Sequence, residues 1–200
     1  MRTVNPVEHA RKRARILDAA AHEFAEHGVD GATTAGVCAR AGIGAGTLFH
    51  YFRTKREMVY ALFADDLPAG AEARRRALAE PDPGHGLRLL VGHLLSDLDH
   101  ALAAGLAAAA IFQANRDEEF AAMIAAEDGR TRDALTTLLR RNAKAGRRPL
   151  FPPDRAARWI QTLVDASYIT ADDGFDADRQ TGELRRLLDV LTDGGSRGDG

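Results

Sequence analysis

One cysteine, Cys38, stands in two hundred residues, so no intramolecular disulfide can form and a reducing cytoplasm is the expected setting. Long apolar runs are also missing. The longest, Ala101 to Phe112, is mostly alanine and falls well short of the ~20 residues that cross a bilayer. No apolar stretch precedes the first helix, so neither a secretory signal nor a membrane partner is expected. Serine is scarce: Ser96, Ser167 and Ser196 are the whole set, none inside Gly-x-Ser-x-Gly. Glu-x-x-His and a Walker loop are absent, which argues against di-iron oxidation and nucleotide hydrolysis. Valine-rich alternating segments are lacking as well, so no strand is expected. The net charge of −2 and a pI near 6.4 give no hint of a nucleic-acid partner.

What is present is alanine, leucine and arginine, all strong helix formers, and the expected fold class is all-α. Asn5, Pro6 and Glu8 open a first helix whose apolar positions are Ile16, Leu17, Ala20 and Phe24, and Gly28 stops it. Thr33 or Thr34 caps a second helix to Ala41. Gly42-Ile43-Gly44 makes a turn, and Ala45 to Tyr51 a third helix. Thr54 and Glu57 cap a fourth through Leu67, where Pro68 kinks or ends it, and 69–80 is helical again. Residues 81–86 are a loop. Further helices are expected at 86–104, 105–113, 117–126, 129–145, 154–172 and 178–192.

Residues 33–55 carry the function. Two short helices joined by a Gly-containing turn of three residues form a helix-turn-helix pattern. Val37, Cys38 and Ala41 give the first helix a small apolar face, and Gly42 can take the positive φ of the sharp turn. Ile43, Leu48 and Phe52 point into the same small core, so Cys38 is expected buried. Ala45, Gly46, Thr47, Phe49, His50 and Tyr51 remain outward on the second helix.

From Arg15-Ile16-Leu17-Asp18-Ala19-Ala20 through Phe24-Ala25-Glu26-His27-Gly28 and on to Gly46-Thr47-Leu48-Phe49-His50-Tyr51-Phe52-Arg53-Thr54-Lys55, about forty residues resemble the TetR family of bacterial transcriptional regulators. The resemblance implies that residues 45–51 enter the major groove, and that Thr33 or Thr34, Tyr51 and Lys55 touch phosphates. Four positions depart from the family's usual pattern. Gly44 replaces a capping serine, Phe49 replaces a tyrosine, and Ala35 and Ala45 offer no hydrogen bond to a base. Base reading is therefore expected from Thr47, His50 and Tyr51, aided by Arg40 or an N-terminal arm.

The resemblance also implies a division into a DNA-binding domain (1–54), connecting helices (55–83) and a ligand-binding and dimerisation domain (84–193), and the polar, Gly-rich residues 194–200 are expected to be a disordered tail. The implied partners are an operator duplex, an unidentified small-molecule effector and a second copy of the chain. Leu135, Leu138, Leu139, Ala156, Ile160, Leu163, Val164 and Ser167 form stripes suited to a four-helix dimer bundle. Candidate ligand contacts are His93, Asp97, His100, Phe112, Gln113, Asn115, Met123, Trp159 and Tyr168. His93, Asp97 and His100 recur at i, i+4 and i+7, a spacing open to metal, though a polar flank accounts for it as well. No metal, cofactor or catalytic residue is expected. The competing reading is a helical small-molecule carrier or metal-binding protein with a vestigial DNA-binding domain. Charge divides unevenly: residues 1–60 hold nine basic and six acidic side chains, 9 − 6 = +3, leaving 18 − 23 = −5 for the rest. A mildly basic head on an acidic body suits weak nonspecific attraction to DNA.

Overall fold

The computed structural model describes residues 5–147, 149–170 and 177–193; the segment expected to be a disordered tail lies outside them. Every regular element among the described residues is a helix: α1 (Pro6–Gly31), α2 (Thr34–Ala41), α3 (Ala45–Tyr51), α4 (Lys55–Asp65), α5 (Leu67–Ala79), α6 (Pro83–Leu94), α7 (Ala103–Ala114), α8 (Glu118–Lys144), α9 (Pro153–Thr170) and α10 (Ala177–Asp193). None is long and apolar enough to cross a membrane.

The chain folds into two compact units. The first holds the described residues up to Asp66 together with Ala104–Ala121; the second holds Leu67–Ala103 and the described residues from Ala122 on. This partition differs from the one expected along the sequence, because α7 and the start of α8 return to the first unit. Three features fix that return. Gly105 lies so close to α1 that a Cβ there would sit 2.5 Å from the Ala25 carbonyl oxygen. Phe120 is fully buried, edge-on to Tyr60 and Phe63 at 5.4 and 5.3 Å. Asp117 accepts from Arg56 Nε at 2.6 Å, Tyr60 Oη at 2.7 Å and Gln113 Nε2 at 3.1 Å. The first of these donors holds the Asp117 carboxyl well below the usual carboxylate range.

In the second unit Leu87, Leu90, Leu95, Leu135, Leu138, Leu139, Ile160, Val164 and Leu188 form one core. Gly86 lets α6 approach α5 closely, since a Cβ there would meet the Ala77 carbonyl oxygen at 2.4 Å. Burial decides the boundaries the sequence left wrong. Residues 117–126 and 129–145 are one helix, α8, which runs from Glu118 to Lys144 and buries Thr131, Ala134, Leu135, Leu138 and Asn142 along its second half. Pro68 stands in the first turn of α5, where a missing N–H costs nothing, rather than at the end of a helix. Asp82 caps α6 by accepting from the Gly84 and His85 N–H groups, so that helix starts at Pro83 rather than 86.

Candidate nucleic-acid interface

The site is built on α1, which buries Ile16, Leu17, Ala20 and Phe24 as its spacing required. Gly28 leaves the helical region at φ 66°, bending the chain toward α2. Thr33 is the cap of α2, its Oγ1 accepting from the Gly36 N–H at 2.9 Å, which resolves the choice between Thr33 and Thr34. Gly42 adopts φ 62°, ψ 42°, the left-handed conformation that turns α2 into α3. Leu48 is fully buried and Phe52 and Val37 nearly so, anchoring α3 from its inner side. Cys38 is only half-buried, against expectation, because the core under α2 is closed by Val37 and Ala41. Gly44 caps α3 with backbone alone, as its lack of a side chain dictates.

The opposite face of α3 is open. Ala45, Gly46, Thr47 and His50 are exposed, Phe49 is 49% exposed, and Tyr51 is half-buried. A side chain added at Gly46 would meet nothing within 4 Å. Thr34 is half-buried and Thr33 exposed. Lys55 holds a position not anticipated: its Nζ donates to the carbonyl oxygens of Asp30 and Ala32, both at 3.0 Å, tying the start of α4 to the end of α1. Its ammonium group thus serves backbone acceptors of the same unit.

The cations sort into two groups. Arg40, expected to assist base reading, is held on α1 by Glu26 at 2.8 Å and Glu23 at 3.7 Å. Arg13 pairs with Asp65 at 2.6 Å and Lys12 with Glu8 at 3.2 Å. Among the described residues, Arg11, Arg15 and Arg53 are exposed and take part in no ion pair. Sequence reasoning missed His9, in the second turn of α1. Its ring lies against that of Tyr51, 4.5 Å between centroids, with the His50 ring edge-on to both. Only its place four residues after the Asn5 cap could have signalled it.

The remaining site expectations fare differently. His93, Asp97 and His100 do not share a helix: α6 ends at Leu94, and residues 95–102 form turns. Ser96 Oγ donates to the His93 carbonyl at 2.9 Å, and the backbone bonds Leu98–Leu95 and His100–Asp97 are tight turns that replace the helical ladder. Asp97 and His100 are exposed, while His93 is half-buried near the Arg74–Glu127 ion pair. Phe112, Gln113 and Asn115 belong to the first unit, and Met123, Trp159 and Tyr168 to the second. Phe112 and Gln113 line a cleft of about 270 Å³ with His27, Gly28 and Asp30. Trp159 faces outward, and Tyr168 Oη donates to the Leu94 carbonyl at 3.0 Å. A separate groove of about 310 Å³ lies between α6 and α10, floored by Leu87, Val91 and Leu188 and rimmed by Arg88 and Arg185.

The dimer stripes need correction. Leu135, Leu138, Leu139, Ala156, Ile160, Val164 and Ser167 are buried inside a single chain, with Leu163 packed partly against the same core. Their spacing is that of an amphipathic helix satisfying its own unit. The exposed side of α9 carries Arg158, Trp159, Thr162, Asp165, Ala166 and Ile169 instead.

Comparison with known proteins agrees with this geometry. A family model described as bacterial regulatory proteins, tetR family, matches residues 16–62, the segment from the buried part of α1 to α4. The chain is 29% identical over 192 residues to the HTH-type transcriptional repressor AcnR of Corynebacterium diphtheriae, covering 96% of this chain and 95% of that one. It is also 29% identical to the HTH-type transcriptional repressor Rv1474c of Mycobacterium tuberculosis, over 91% of each chain. Among solved structures, AibR in complex with isovaleryl coenzyme A and operator DNA shares the fold at a TM-score of 0.74 and 18% identity, over 90% of this chain and 98% of that one. An exposed seven-residue helix, seated by a left-handed glycine turn inside a segment that the family model matches, thus has full-length relatives that regulate transcription. Residues 16–62 thus match the bacterial regulatory proteins of the tetR family, and along its length the chain is similar to transcriptional repressors.

Proposed function

We propose that this protein is a cytoplasmic homodimeric repressor that releases a palindromic operator when a small molecule binds its second unit, with no catalytic step. The observation that carries the DNA-reading part is the outward face of α3, with Gly46, Thr47, Phe49 and His50 exposed and Tyr51 half-buried at its end. Thr47, His50 and Tyr51 read base edges, Phe49 supplies apolar contact to thymine methyls, and Thr33 and Thr34 hold phosphates. Two copies place two such helices on half-sites about one helical turn apart. The chain passes between its units at three places, after Asp66, Ala103 and Ala121. An effector with higher affinity for one arrangement of the dimer shifts the population through these joints, and by no more than that difference in affinity. Selection of bound sequences from a random duplex library tests the reading: an inverted repeat should be enriched, and Thr47→Ala or His50→Ala should change the preferred bases. Enrichment of no sequence would contradict it.

The dimer surface is proposed on the exposed face of α9. Arg158 and Asp165 are seven residues apart, nearly two full turns, and so share a face. A two-fold axis near Thr162, with the two α9 helices antiparallel, sets Arg158 against the partner subunit's Asp165 and the reverse. Within one chain, Asp165 faces Asp128 across a polar groove that also holds Arg132 and Gln161. Partial burial and the neighbouring Asp128 push its carboxyl up to about 6, although Arg132 opposes the shift. A cation across the interface favours the carboxylate, so the dimer holds fewer protons than two free chains. It should therefore tighten as pH rises through about 6 and loosen as pH falls below. In sedimentation experiments Arg158→Glu or Asp165→Lys should weaken the dimer about tenfold or more, and the double reversal should recover most of that. A double reversal no better than either single variant would contradict the register.

A further inference from the structure

We propose that His9 is a positioning residue for DNA reading: its ring fixes the Tyr51 side chain at the end of α3 and so sets the base preference there. The inference rests on the proposed reading role of α3. Tyr51 is the last residue of a seven-residue helix, and the chain turns extended at Phe52, φ −138°. Within α3 the side chain can only lean back over the preceding turn, so a ring packed on it from another helix adds a second hold on its direction. The His9 ring supplies that hold, 4.5 Å from the Tyr51 ring and tilted by 33°. His50 meets Tyr51 edge-on at 5.4 Å and His9 edge-on at 6.3 Å, so the three rings form one cluster at the open face. His50 is exposed and adjacent in sequence to Tyr51, so it moves with α3; His9 is half-buried and belongs to another helix. Its own position is anchored: the Asn5 side chain caps α1, and the His9 N–H donates to the Asn5 carbonyl at 3.0 Å.

Residue 9 precedes the segment matched by the family model, which starts at residue 16. The contact therefore comes from a part of α1 that the shared motif does not specify, and it offers a way for this chain to tune its preference without altering α3.

The test uses the full chain and a duplex library with a random centre, selected in parallel with the wild type, His9→Ala, His9→Phe and Tyr51→Ala. Affinities are then measured on the duplex that the wild type enriches. His9→Ala should bind that duplex about three- to tenfold more weakly, the range expected for loss of one aromatic pair. Its preference should broaden at the same base pairs as that of Tyr51→Ala, and the double variant should bind no more weakly than Tyr51→Ala alone. His9→Phe, which keeps a ring, should restore the wild-type preference. His9→Gln serves as a second ring-free variant if His9→Ala folds poorly. Unchanged preferences in the ring-free variants, broadening at other base pairs, additive losses in the double variant or failure of His9→Phe to rescue would each overturn the proposal. A wild type that enriches no sequence would overturn the reading role of α3 itself, a distinct result.

Discussion

Gly46→Glu should abolish operator binding while leaving the chain as stable as before or more so. Gly46 is exposed near the start of α3, and an added side chain meets nothing within 4 Å, so folding has no steric reason to suffer. Replacing glycine inside a helix gains roughly 0.5–1 kcal/mol, and a carboxylate in the first turn adds a few tenths more. On DNA the same carboxylate faces the phosphates. Like-charge juxtaposition at an interface costs several kcal/mol, which corresponds to a loss on the order of a hundredfold or more in affinity. Urea melting paired with binding to the enriched duplex checks both signs at once. Retained binding would mean that α3 does not face DNA.

Gly105→Val should cause the largest loss of stability among surface-accessible substitutions. A Cβ at this position would lie 2.5 Å from the Ala25 carbonyl oxygen and 2.8 Å from the Ala25 Cα and Cβ. The obstacle is backbone, which cannot swing aside as a long side chain can. Overpacking of this kind costs about 1–3 kcal/mol, and the β-branched side chain belongs at the upper end. The urea midpoint of the first unit should fall accordingly, with Gly105→Ala intermediate. An unchanged midpoint would show that α7 does not lie against α1 as described.

The helix-turn-helix was legible because its determinants are local. A threonine cap, a left-handed glycine and a buried leucine are properties of residues within fifteen positions of one another, and Thr33, Gly42 and Leu48 occupy those roles. Long-range features were less legible. Whether Pro68 ends a helix or opens one depends on which side of it the chain packs, and Asp82-Pro83 was a start signal hidden by the adjacent Pro81. The gap expected between 126 and 129 does not exist, since α8 runs from Glu118 to Lys144 through Gly129. The stripes on α8 and α9 had the right periodicity for a core but carried no information about whose core they fill. Lys55 illustrates the same limit: the motif marks the position, but only the fold shows its ammonium group on the Asp30 and Ala32 carbonyls. His9 was invisible because a contact between the start of α1 and the end of α3 spans more than forty residues and leaves no pattern.

The ratio of affinities for the enriched duplex and a scrambled duplex of equal length, at one fixed salt concentration, tests the central claim most directly. A regulator that reads bases through α3 should bind the enriched inverted repeat at least about a thousandfold more tightly, and Thr47→Ala should reduce that ratio. Equal affinities for the two duplexes, or a ratio untouched by changes on α3, would contradict it.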